Sequence, residues 1–393
     1  MKNGWGTKPL SEVCQVIGGG TPSKGKAAFY TGDIPWATVR DMRQEVISET
    51  EFRITEAAVK SSSTNIIPRG NVVIATRVGL GKVCLLDQDT AINQDLRGVV
   101  PHNPEVLAVR FLFWWLKSVS HLIEKEGTGA TVQGVKLPFV KSLPVPFPPL
   151  PEQQRIVSIL DEAFDGIATA KDNAEKNLQN ARALFESHLQ AVLLSKKWKW
   201  KTLGDLCDGV EYGTSAKSKK EGKIPVLRMG NIQDGHLEWD NLVYSNEKDE
   251  IKKYLLKHND VLFNRTNSPK LVGKTAIYKS QMPAIFAGYL IRIHRKEDLL
   301  DGDYLNYFLN SQIALAYGKT VVISSVNQAN INGAKLKGYP IPAPSLSEQR
   351  IIVKKLDGLQ EETQRLESIY QRKLAALDAL KKSLLHQAFS GGL

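Results

Sequence analysis

Two glycine loops that carry lysines are the first candidates for chemistry in this sequence. Gly20 and Thr21 are followed by Lys24 and Lys26, and the same spacing recurs 193 residues later, from Gly213. Main-chain N–H groups and lysine ammonium groups both bind phosphate oxygens. Because the pattern occurs twice at one offset, we interpret the loops as polyanion-binding turns. The predicted binding residues of these loops are Thr21, Ser23, Lys24, Lys26, Thr214, Lys217, Lys219 and Lys220.

A second group of polar residues lies in two kinds of place. Some directly follow short apolar runs, which we predict to be strands, and the others lie in loops that match between the two halves. Arginine pairs well with guanine, and asparagine or glutamine with adenine, so such residues at strand ends can read base edges. The sequence differs between its two halves at these positions, as expected for readers of two different sequences. The predicted residues are Arg40, Asp41, Arg43, Thr76, Arg77, Lys82, Gln133, Arg228, Asn231, Asn264, Arg265, Thr266, Asn267, Lys274, Ser324, Asn327 and Gln328.

Motifs for catalysis are missing from the sequence. No Asn/Asp-Pro-Pro-aromatic loop of an amino methyltransferase occurs. Leu271–Thr275 imitates the end of a phosphate-binding loop, but Ser268 replaces its first glycine. The seven histidines and three cysteines show no metal-ligand spacing. We therefore predict no catalytic residue, metal or cofactor on this chain.

Composition and charge are those of a globular protein with a polyanionic partner. The 393 residues are 42% hydrophobic and 24% charged, with a net charge of +11. Residues 1–149 and 198–344 carry +4 and +6, whereas residues 150–197 and 345–393 carry −1 and +2. This excess favours nucleic acid as the partner. The sequence has no run of 18 apolar residues and no apolar leader, so we expect a cytoplasmic protein with reduced cysteines.

The elements that must position these loops are duplicated along the chain. Leu10 and Cys14 match Leu203 and Cys207, and the apolar segment Phe111–Ser118 matches Tyr304–Ser311. All matched pairs lie 190 to 196 residues apart, so the repeat covers nearly the whole chain. We interpret the chain as two similar α/β domains.

Two long helices are predicted after proline-rich segments, from about Glu152 to Lys196 and from about Glu348 to Phe389. Apolar residues recur in steps of four and three, which is typical of a coiled coil. The first seam consists of Ile156, Leu160, Ala163, Ile167, Ala170, Ala174, Ala181 and Leu184, interrupted at Asn177 and His188. The second consists of Ile352, Leu356, Leu359, Thr363, Leu366, Tyr370, Lys373, Leu377, Leu380 and Leu384.

We expect the two helices to pair with each other, antiparallel, with the basic domains at opposite ends of a rod. The alternative is that each helix lies on its own domain. A second apolar row on the first helix, which includes Ile159 and Phe164, exceeds what one partner helix covers. The expected architecture is α+β, with two tandem pseudo-symmetric α/β domains (1–149 and 198–344) and two helical regions (150–197 and 345–393) that form an antiparallel coiled coil.

These motifs together resemble the specificity (S) subunits of type I restriction-modification systems. The resemblance covers the whole chain and is carried by Gly19–Ser23, by Gly32–Trp36, and above all by the Pro-x-Pro-x-x-x-Glu-Gln segments that end at Gln153 and Gln349. It implies two target-recognition domains, each of which reads one half of a split, asymmetric DNA site. It also implies that the two helical regions act as a spacer and dock two modification subunits.

The same resemblance assigns all catalysis to partner subunits. Modification subunits of the family bind S-adenosylmethionine and methylate adenine at N6, and restriction subunits add ATP- and Mg-dependent translocation and cleavage. The S subunit itself needs no cofactor. An alternative in the same class is an orphan coiled-coil DNA-binding regulator without methyltransferase partners. An enzyme, such as a fused methyltransferase or nuclease, is disfavoured by the missing motifs.

Overall fold

The computed structural model describes residues 5–127, 134–195, 197–269, 271–324 and 328–393, without the side chain of Ser324. The chain divides into two compact units. The first contains the residues up to Ala174 together with Arg372–Leu393, and the second contains Glu175–Gln371. Each long helix therefore contributes one part to each unit.

The first unit is a mixed α/β domain. Its helices are Leu10–Val13, Glu56–Lys60, Val109–Ser118, Ser120–Glu126 and Leu137–Ser142, with 3₁₀ turns at Ala27–Tyr30 and Val39–Asp41. Its strands are Gly6–Pro9, Cys14–Gly18, Ile34–Ala37, Val46–Ile47, Phe52–Ile54, Asn65–Ile67, Val72–Ala75, Val83–Leu86, Thr90–Ile92, Leu96–Pro101 and Pro144–Phe147.

Two sheets form the frame of this unit. The five-stranded sheet has the order Cys14–Gly18, Leu96–Pro101, Val72–Ala75, Val83–Leu86, Val46–Ile47. The four-stranded sheet has the order Phe52–Ile54, Ile34–Ala37, Thr90–Ile92, Asn65–Ile67. Its two central strands are parallel, with Trp36 opposite Ala91. The carboxyl ends of these two strands therefore lie at the same edge.

The second unit is built in the same way. Its helices are Lys248–Tyr254, Gly302–Asn310, Gln312–Val321 and Gly333–Lys337, with 3₁₀ turns at Leu203–Leu206 and Met229–Asn231. Its strands are Trp200–Thr202, Cys207–Tyr212, Ile224–Leu227, Ile232–Gln233, His236–Leu237, Val243–Ser245, Val261–Asn264, Thr266–Asn267, Thr275–Ile277, Ile285–Phe286, Leu290–Arg295, Ile323–Ser324, Ala329–Asn330 and Pro340–Pro342.

The sequence repeat is confirmed by strand topology. In the second unit, the order Cys207–Tyr212, Leu290–Arg295, Val261–Asn264, Thr275–Ile277 repeats the first four strands of the five-stranded sheet. The parallel pair also recurs, with Val226 opposite Ile285. At each domain boundary the proline-rich segment is extended and pairs with the strand that opens the domain. Proline is tolerated there because these two-stranded sheets consist of edge strands.

The two long helices span Leu150–Leu193 and Leu346–Ser390, close to their predicted bounds. In the first unit, Arg155 donates to the carbonyl of Leu393 at 2.9 Å, and Lys171 pairs with Asp378 at 2.7 Å. Residue numbers therefore rise along one helix as they fall along the other, which is the expected antiparallel pairing. In the second unit, Arg182 pairs with Glu367 at 3.0 Å.

Each pair of helix segments also packs on the domain of its own unit, so the two arrangements that the sequence offered as alternatives occur together. Ile156, Leu160 and Phe164 join the core around the buried helix Val109–Ser118. Ile352 and Leu356 join the corresponding core of the second unit. The second apolar row of the first helix is covered in part by the domains, because Phe164 joins the first core and Leu189 joins the second.

Two apolar residues of the predicted seams, and the seam residue Lys373, are exposed instead. Leu184 is 52% exposed and Leu380 is 47% exposed, whereas Phe185 and Leu189 pack into the second core. A straight helix drifts by about 20° per heptad relative to a 3.5-residue repeat. The buried face therefore rotates away from the seam that the heptads predicted, toward the surface that the domain presents.

A buried glutamine fixes the start of each long helix. Gln153 is fully buried, and its Oε1 accepts the N–H of Ala108 at 2.9 Å, while its Nε2 donates to the carbonyls of Val106 and Pro148, both at 2.9 Å. The side chain thereby binds the residue before helix Val109–Ser118. We call this arrangement the glutamine clasp.

The second unit has the same clasp. Oε1 of Gln349 accepts the N–H of Asp301 at 2.8 Å, and its Nε2 donates to the carbonyls of Leu299 and Pro344 at 2.8 and 2.9 Å. Aromatic contacts recur beside it. Nε1 of Trp114 donates to Asp161 at 2.7 Å, and the hydroxyl of Tyr307 donates to Asp357 at 2.6 Å.

Replacing Gln153 by leucine should destabilise the protein by about 2–4 kcal/mol, because it leaves one N–H and two carbonyl groups buried without partners. Urea unfolding of the full chain, followed by circular dichroism, measures this loss. Gln154→Leu is the matched control, since Gln154 is exposed. A stability of Gln153→Leu equal to that of the control would show that the clasp is dispensable.

Candidate nucleic-acid interface

The glycines of the two lysine loops serve close packing. A Cβ atom on Gly20 would lie 2.3 Å from the Ser63 hydroxyl, and one on Gly213 would lie 2.2 Å from the Phe286 carbonyl oxygen. Their N–H groups are also engaged: Gly20 donates to Ile92 at 3.0 Å and Gly213 to Leu290 at 3.3 Å. These two N–H groups are therefore not available to a phosphate, while phosphate binding by the rest of each loop, including its lysines, stays a prediction.

The lysines themselves point into solvent. Lys24, Lys217, Lys219 and Lys220 are exposed, and Lys26 lies over the ring of Phe29 at 5.1 Å while remaining exposed. Ser23 is exposed as well. These cations are free to meet a polyanion without prior loss of a buried contact, which is the arrangement expected for contacts to a phosphate backbone.

The two threonines of these loops are less available. The hydroxyl of Thr21 donates to Oε1 of Gln94. Thr214 is buried, its hydroxyl donates to Glu250, and it accepts the N–H of Ala216 at 3.0 Å. The structure gives Thr214 a role inside its loop, so its side chain does not reach the surface where we had placed it.

The turn after strand Ile34–Ala37 presents two arginines around a carboxylate. Asp41 accepts from the N–H of Thr38 at 2.7 Å and from the N–H of Glu51 at 2.8 Å, and so holds the turn together. Arg40 is exposed and pairs with Glu51 at 3.6 Å. Arg43 is exposed, with Nε donating to the carbonyl of Arg40 at 3.0 Å. The arginines remain candidates for DNA contact, whereas Asp41 positions them.

The residues at the end of strand Val72–Ala75 also include one that is engaged within the loop and two cations that are accessible. Thr76 is buried and donates to the Asp95 carbonyl at 3.4 Å. Arg77 is half-exposed and lies 3.8 Å from the Asp95 carboxylate. Lys82 is exposed, and its Nζ donates to the carbonyl of Met42 at 3.4 Å. Arg77 and Lys82 are accessible, and Thr76 is not.

The matching strand end of the second unit is more buried than the sequence suggested. Asn264 is fully buried, and its Oδ1 has no hydrogen-bond partner among the described residues. Thr266 is buried and accepts from Asn330 at 2.8 Å, while Asn267 is half-buried and accepts the N–H of Ser268. Arg265 stacks over Tyr212 at 4.8 Å and donates to the Gly288 carbonyl at 3.2 Å.

Three further predicted residues of the second unit lie elsewhere. Asn231 is buried and donates to the carbonyls of Glu238 and Asp240, so it supports its turn, while Arg228 beside it is exposed. Lys274 donates to Gln233 at 2.8 Å and lines a cavity of about 880 Å³ that faces both long helices. That position separates Lys274 from the exposed loop lysines.

The remaining predicted residues are those of the polar loops. Gln133 and Asn327 lie outside the described residues. Ser324 belongs to strand Ile323–Ser324, and Gln328 is exposed. For every one of these loop residues, contact with DNA stays a prediction.

In the first unit several predicted residues share one open cavity of about 540 Å³. It gathers loops from the ends of strands Cys14–Gly18, Ile34–Ala37, Val72–Ala75 and Thr90–Ile92. Its lining comprises Thr21, Lys24, Tyr30, Trp36, Thr38, Val39, Arg40, Phe52, Val78, Asn93, Gln94 and Asp95. Asn93, Gln94 and Asp95 were not among the predicted residues, because nothing in the second half of the chain matches them.

Arg97, which does not line this cavity itself, supports the Gln94 loop of its lining. Burial lowers the pKa of Arg97, with the Arg77 guanidinium acting in the same direction and Asp95 opposing it. Arg97 donates to the carbonyls of Gln94 and Leu96, at 2.8 and 2.7 Å. These bonds hold the Gln94 loop in place beside Lys24 and Arg40.

Among the described residues, no group of three His, Cys, Asp or Glu side chains is placed to hold a metal ion. Cys14, Cys84 and Cys207 are free and buried, and burial raises the pKa of Cys14 to about 12 and that of Cys84 to about 11. In the described part of the chain, no helix has the length and apolar character needed to cross a membrane.

Sequence comparison finds relatives among restriction enzymes. The chain is 24% identical to the type I restriction enzyme EcoKI specificity subunit of Escherichia coli K12, over 100% of this chain and 90% of that protein. It is 36% identical to the EcoR124I/EcoR124II specificity subunit of Escherichia coli over 42% of this chain, and 26% identical to the MjaIX specificity subunit of Methanocaldococcus jannaschii over 67%. The matched parts span 41% and 66% of those two relatives.

Solved structures share the fold. A chain from the structure reported as "Structural basis underlying complex assembly and conformational transition of the type I R-M system" matches with a TM-score of 0.79, at 21% identity, over 100% of this chain and 99% of that one. The HsdS subunit from Thermoanaerobacter tengcongensis matches with a TM-score of 0.65, at 20% identity, over 100% and 98%. These likenesses confirm the expected architecture.

The family profile covers most of the chain in two copies. The type I restriction modification DNA specificity domain matches residues 2–179 and again residues 195–373. Each match contains one α/β domain together with the greater part of the long helix that follows it. The chain therefore belongs to the family of type I restriction-modification DNA specificity subunits.

Proposed function

We propose that this chain is the DNA sequence-recognition subunit of a type I restriction-modification complex. Each α/β domain reads one half of a bipartite, asymmetric DNA site, and the paired helices space the domains. The observation that carries this proposal is the double match to the DNA specificity domain on a duplicated frame. Beyond the loop lysines that both copies share, the exposed cations differ: Arg40 of the first turn matches Gly230 in the second, where Arg228 is exposed instead, as two different half-sites require.

The same helices dock two modification subunits in this proposal. Exposed apolar side chains on the helices, among them Leu184, Ile351, Ile369 and Leu380, offer a surface for partner helices. A regulator acting alone would have no use for such residues. Two restriction subunits complete the complex where the system has them.

Catalysis belongs to the partners in this proposal. The modification subunits hold S-adenosylmethionine and methylate adenine at N6, and the restriction subunits use ATP and Mg²⁺. This chain supplies the binding energy that selects the sequence. Phosphate contacts fix its position on the duplex, and base contacts select the site.

Co-expression with the modification subunits of its system should give N6-methyladenine at a split motif with a fixed gap across the host genome. Single-molecule sequencing of that DNA reads the motif directly. Exchanging one α/β domain for that of a relative should change one half of the motif and leave the other. Failure of the chain to form a complex with those subunits would support the regulator instead.

Lys24→Ala should weaken binding to all duplexes by a similar factor and reduce the slope of log affinity against log salt by about one, because one phosphate contact is lost. Lys217→Ala should do the same through the second domain. Lys141→Ala is the matched control, since Lys141 is exposed but lies outside both loops. An altered sequence preference with an unchanged salt slope would contradict the phosphate assignment.

Removing residues 172–178 together with 371–377 should shorten the gap between the half-sites. The two deletions take out one heptad from each helix and keep both the Lys171–Asp378 and the Arg182–Glu367 ion pairs. Seven residues of helix span about 10 Å, or about three base pairs. Methylation mapping reports the new gap.

The control variant keeps the full length of both helices and carries Asn173→Ala and Asn177→Ala, two substitutions at exposed positions of the segment that the deletion removes. It should leave the gap unchanged. A deletion variant that methylates DNA with the original gap would show that the helices do not set the spacing.

A further inference from the structure

Two large apolar side chains stand exposed at the mouth of the cavity in the first unit. Val78 is 54% exposed and Phe52 is 40% exposed, although Lys24 and Arg40 line the same cavity. Covering exposed apolar side chains with a ligand removes apolar surface from water and so stabilises the complex, even where cations surround these side chains. The exposed pair therefore indicates contact with a ligand that is anionic overall and apolar at one point.

A rigid aromatic cluster holds Phe52 in place. Its ring meets Trp36 edge to face at 6.2 Å between centroids and meets Tyr30 at 6.4 Å. Trp36 is buried and donates to the carbonyl of Gly20 at 3.1 Å, and Tyr30 donates to that of Pro22 at 2.8 Å. Phe52 is thus supported from below, as a contact surface rather than as a loosely exposed side chain.

The polar lining offers a hydrogen-bond donor beside this apolar surface. The Thr21 hydroxyl donates to Oε1 of Gln94, which leaves the Nε2 amide group of Gln94 without a partner among the described residues. Asn93 next to it is engaged, because its Nδ2 donates to Asp95 at 3.0 Å. The cavity therefore offers the amide group of Gln94 as a donor in the same lining as Phe52 and Val78.

These features match one base. In the major groove, thymine shows an acceptor, O4, beside an apolar C5-methyl group, and no other standard base shows that pair. Cytosine methylated at C5 has the methyl group but presents a donor at N4, which would face the donor of Gln94. The surrounding Lys24 and Arg40 suit the adjoining phosphates.

The second unit lacks this surface. Trp36 and Phe52 are opposite each other in the first unit, and Val226 and Val243 take these positions in the second. Aromatic residues at this point are thus a property of one recognition domain and not of the shared frame. Differences of this kind are what two readers of different half-sites need.

We propose that this cavity reads a thymine in the half-site of the first domain, with Phe52 and Val78 against its methyl group and Gln94 donating to O4. The inference rests on the proposed function and adds the identity of one base and the residues that select it. It makes Phe52, Val78 and Gln94 specificity determinants.

Deoxyuridine substitution tests the methyl contact directly. With the complex of full-length chain and modification subunits, each thymine of the mapped site, on either strand, is replaced in turn by deoxyuridine, and binding is measured by fluorescence anisotropy. One position in the first half-site should lose affinity about three- to tenfold, the effect of one buried methyl group. In the Phe52→Ala/Val78→Ala variant, thymine and deoxyuridine at that position should bind equally.

Two controls separate this contact from general damage. Val46→Ala removes an exposed valine of the same unit that does not line the cavity, and it should keep the full sensitivity to deoxyuridine. Val78→Thr keeps the shape of the side chain but replaces a methyl by a hydroxyl group, and should reduce the sensitivity even where the alanine variant does not fold.

Three results would overturn the proposal. The first is equal binding of thymine and deoxyuridine throughout the first half-site. The second is a sensitivity that persists unchanged in both cavity variants, which would assign the methyl contact to other residues. The third is an unaltered affinity for the thymine site in Gln94→Ala. Failure of the proposed function is separate, because it would appear first as a complex that methylates no split site.

Discussion

The glutamine clasp is the contact on which the arrangement of each unit depends. One amide satisfies an N–H group at the start of a domain helix and two carbonyls of the adjoining turns, at a point where water is excluded. Each orphaned group at such a position costs about 1–3 kcal/mol, so the long helix can begin at only one place and in one direction. Gln153 and Gln349 therefore fix where each long helix starts relative to the domain of its own unit.

The frame of the fold could be predicted from the sequence because the sequence contains it as an internal repeat. The duplication and the two long helices follow from the repeat offset and the apolar period, and each is observed, whereas the order of the strands was not predicted. The exact set of buried helix residues could not be predicted. The heptad pattern gives the period of the apolar residues but does not show where the α/β domain packs against the helix pair. Leu184 and Leu380 were therefore predicted to be buried and are exposed. Register required ion pairs, such as Lys171–Asp378, that no local pattern encodes.

The candidate site was predicted less well, for a physical reason. Residue type and position at a strand end do not say whether a side chain serves its own turn or faces solvent. Asn231 and Asp41 satisfy backbone groups of their own loops, as asparagine and aspartate commonly do in turns. Most of the predicted lysines and arginines escape this ambiguity because burying their charge is costly, but Arg265 and Lys274 are half-buried and bonded within their own unit. The predicted cations Lys24, Arg40 and Lys217 therefore lie exposed, while the predicted polar residues divide.

Recognition by two copies of one frame requires that the sequence-reading residues be the ones that the repeat does not preserve. The aromatic cluster of Tyr30, Trp36 and Phe52 satisfies this condition, since valines occupy two of the equivalent positions in the second unit. The glutamine clasp, by contrast, is preserved by the repeat and has the same hydrogen bonds in both units. A search for repeated motifs therefore finds the parts that hold the molecule together, and only the differences between the copies, set on the same strand ends, show where the two half-sites are distinguished.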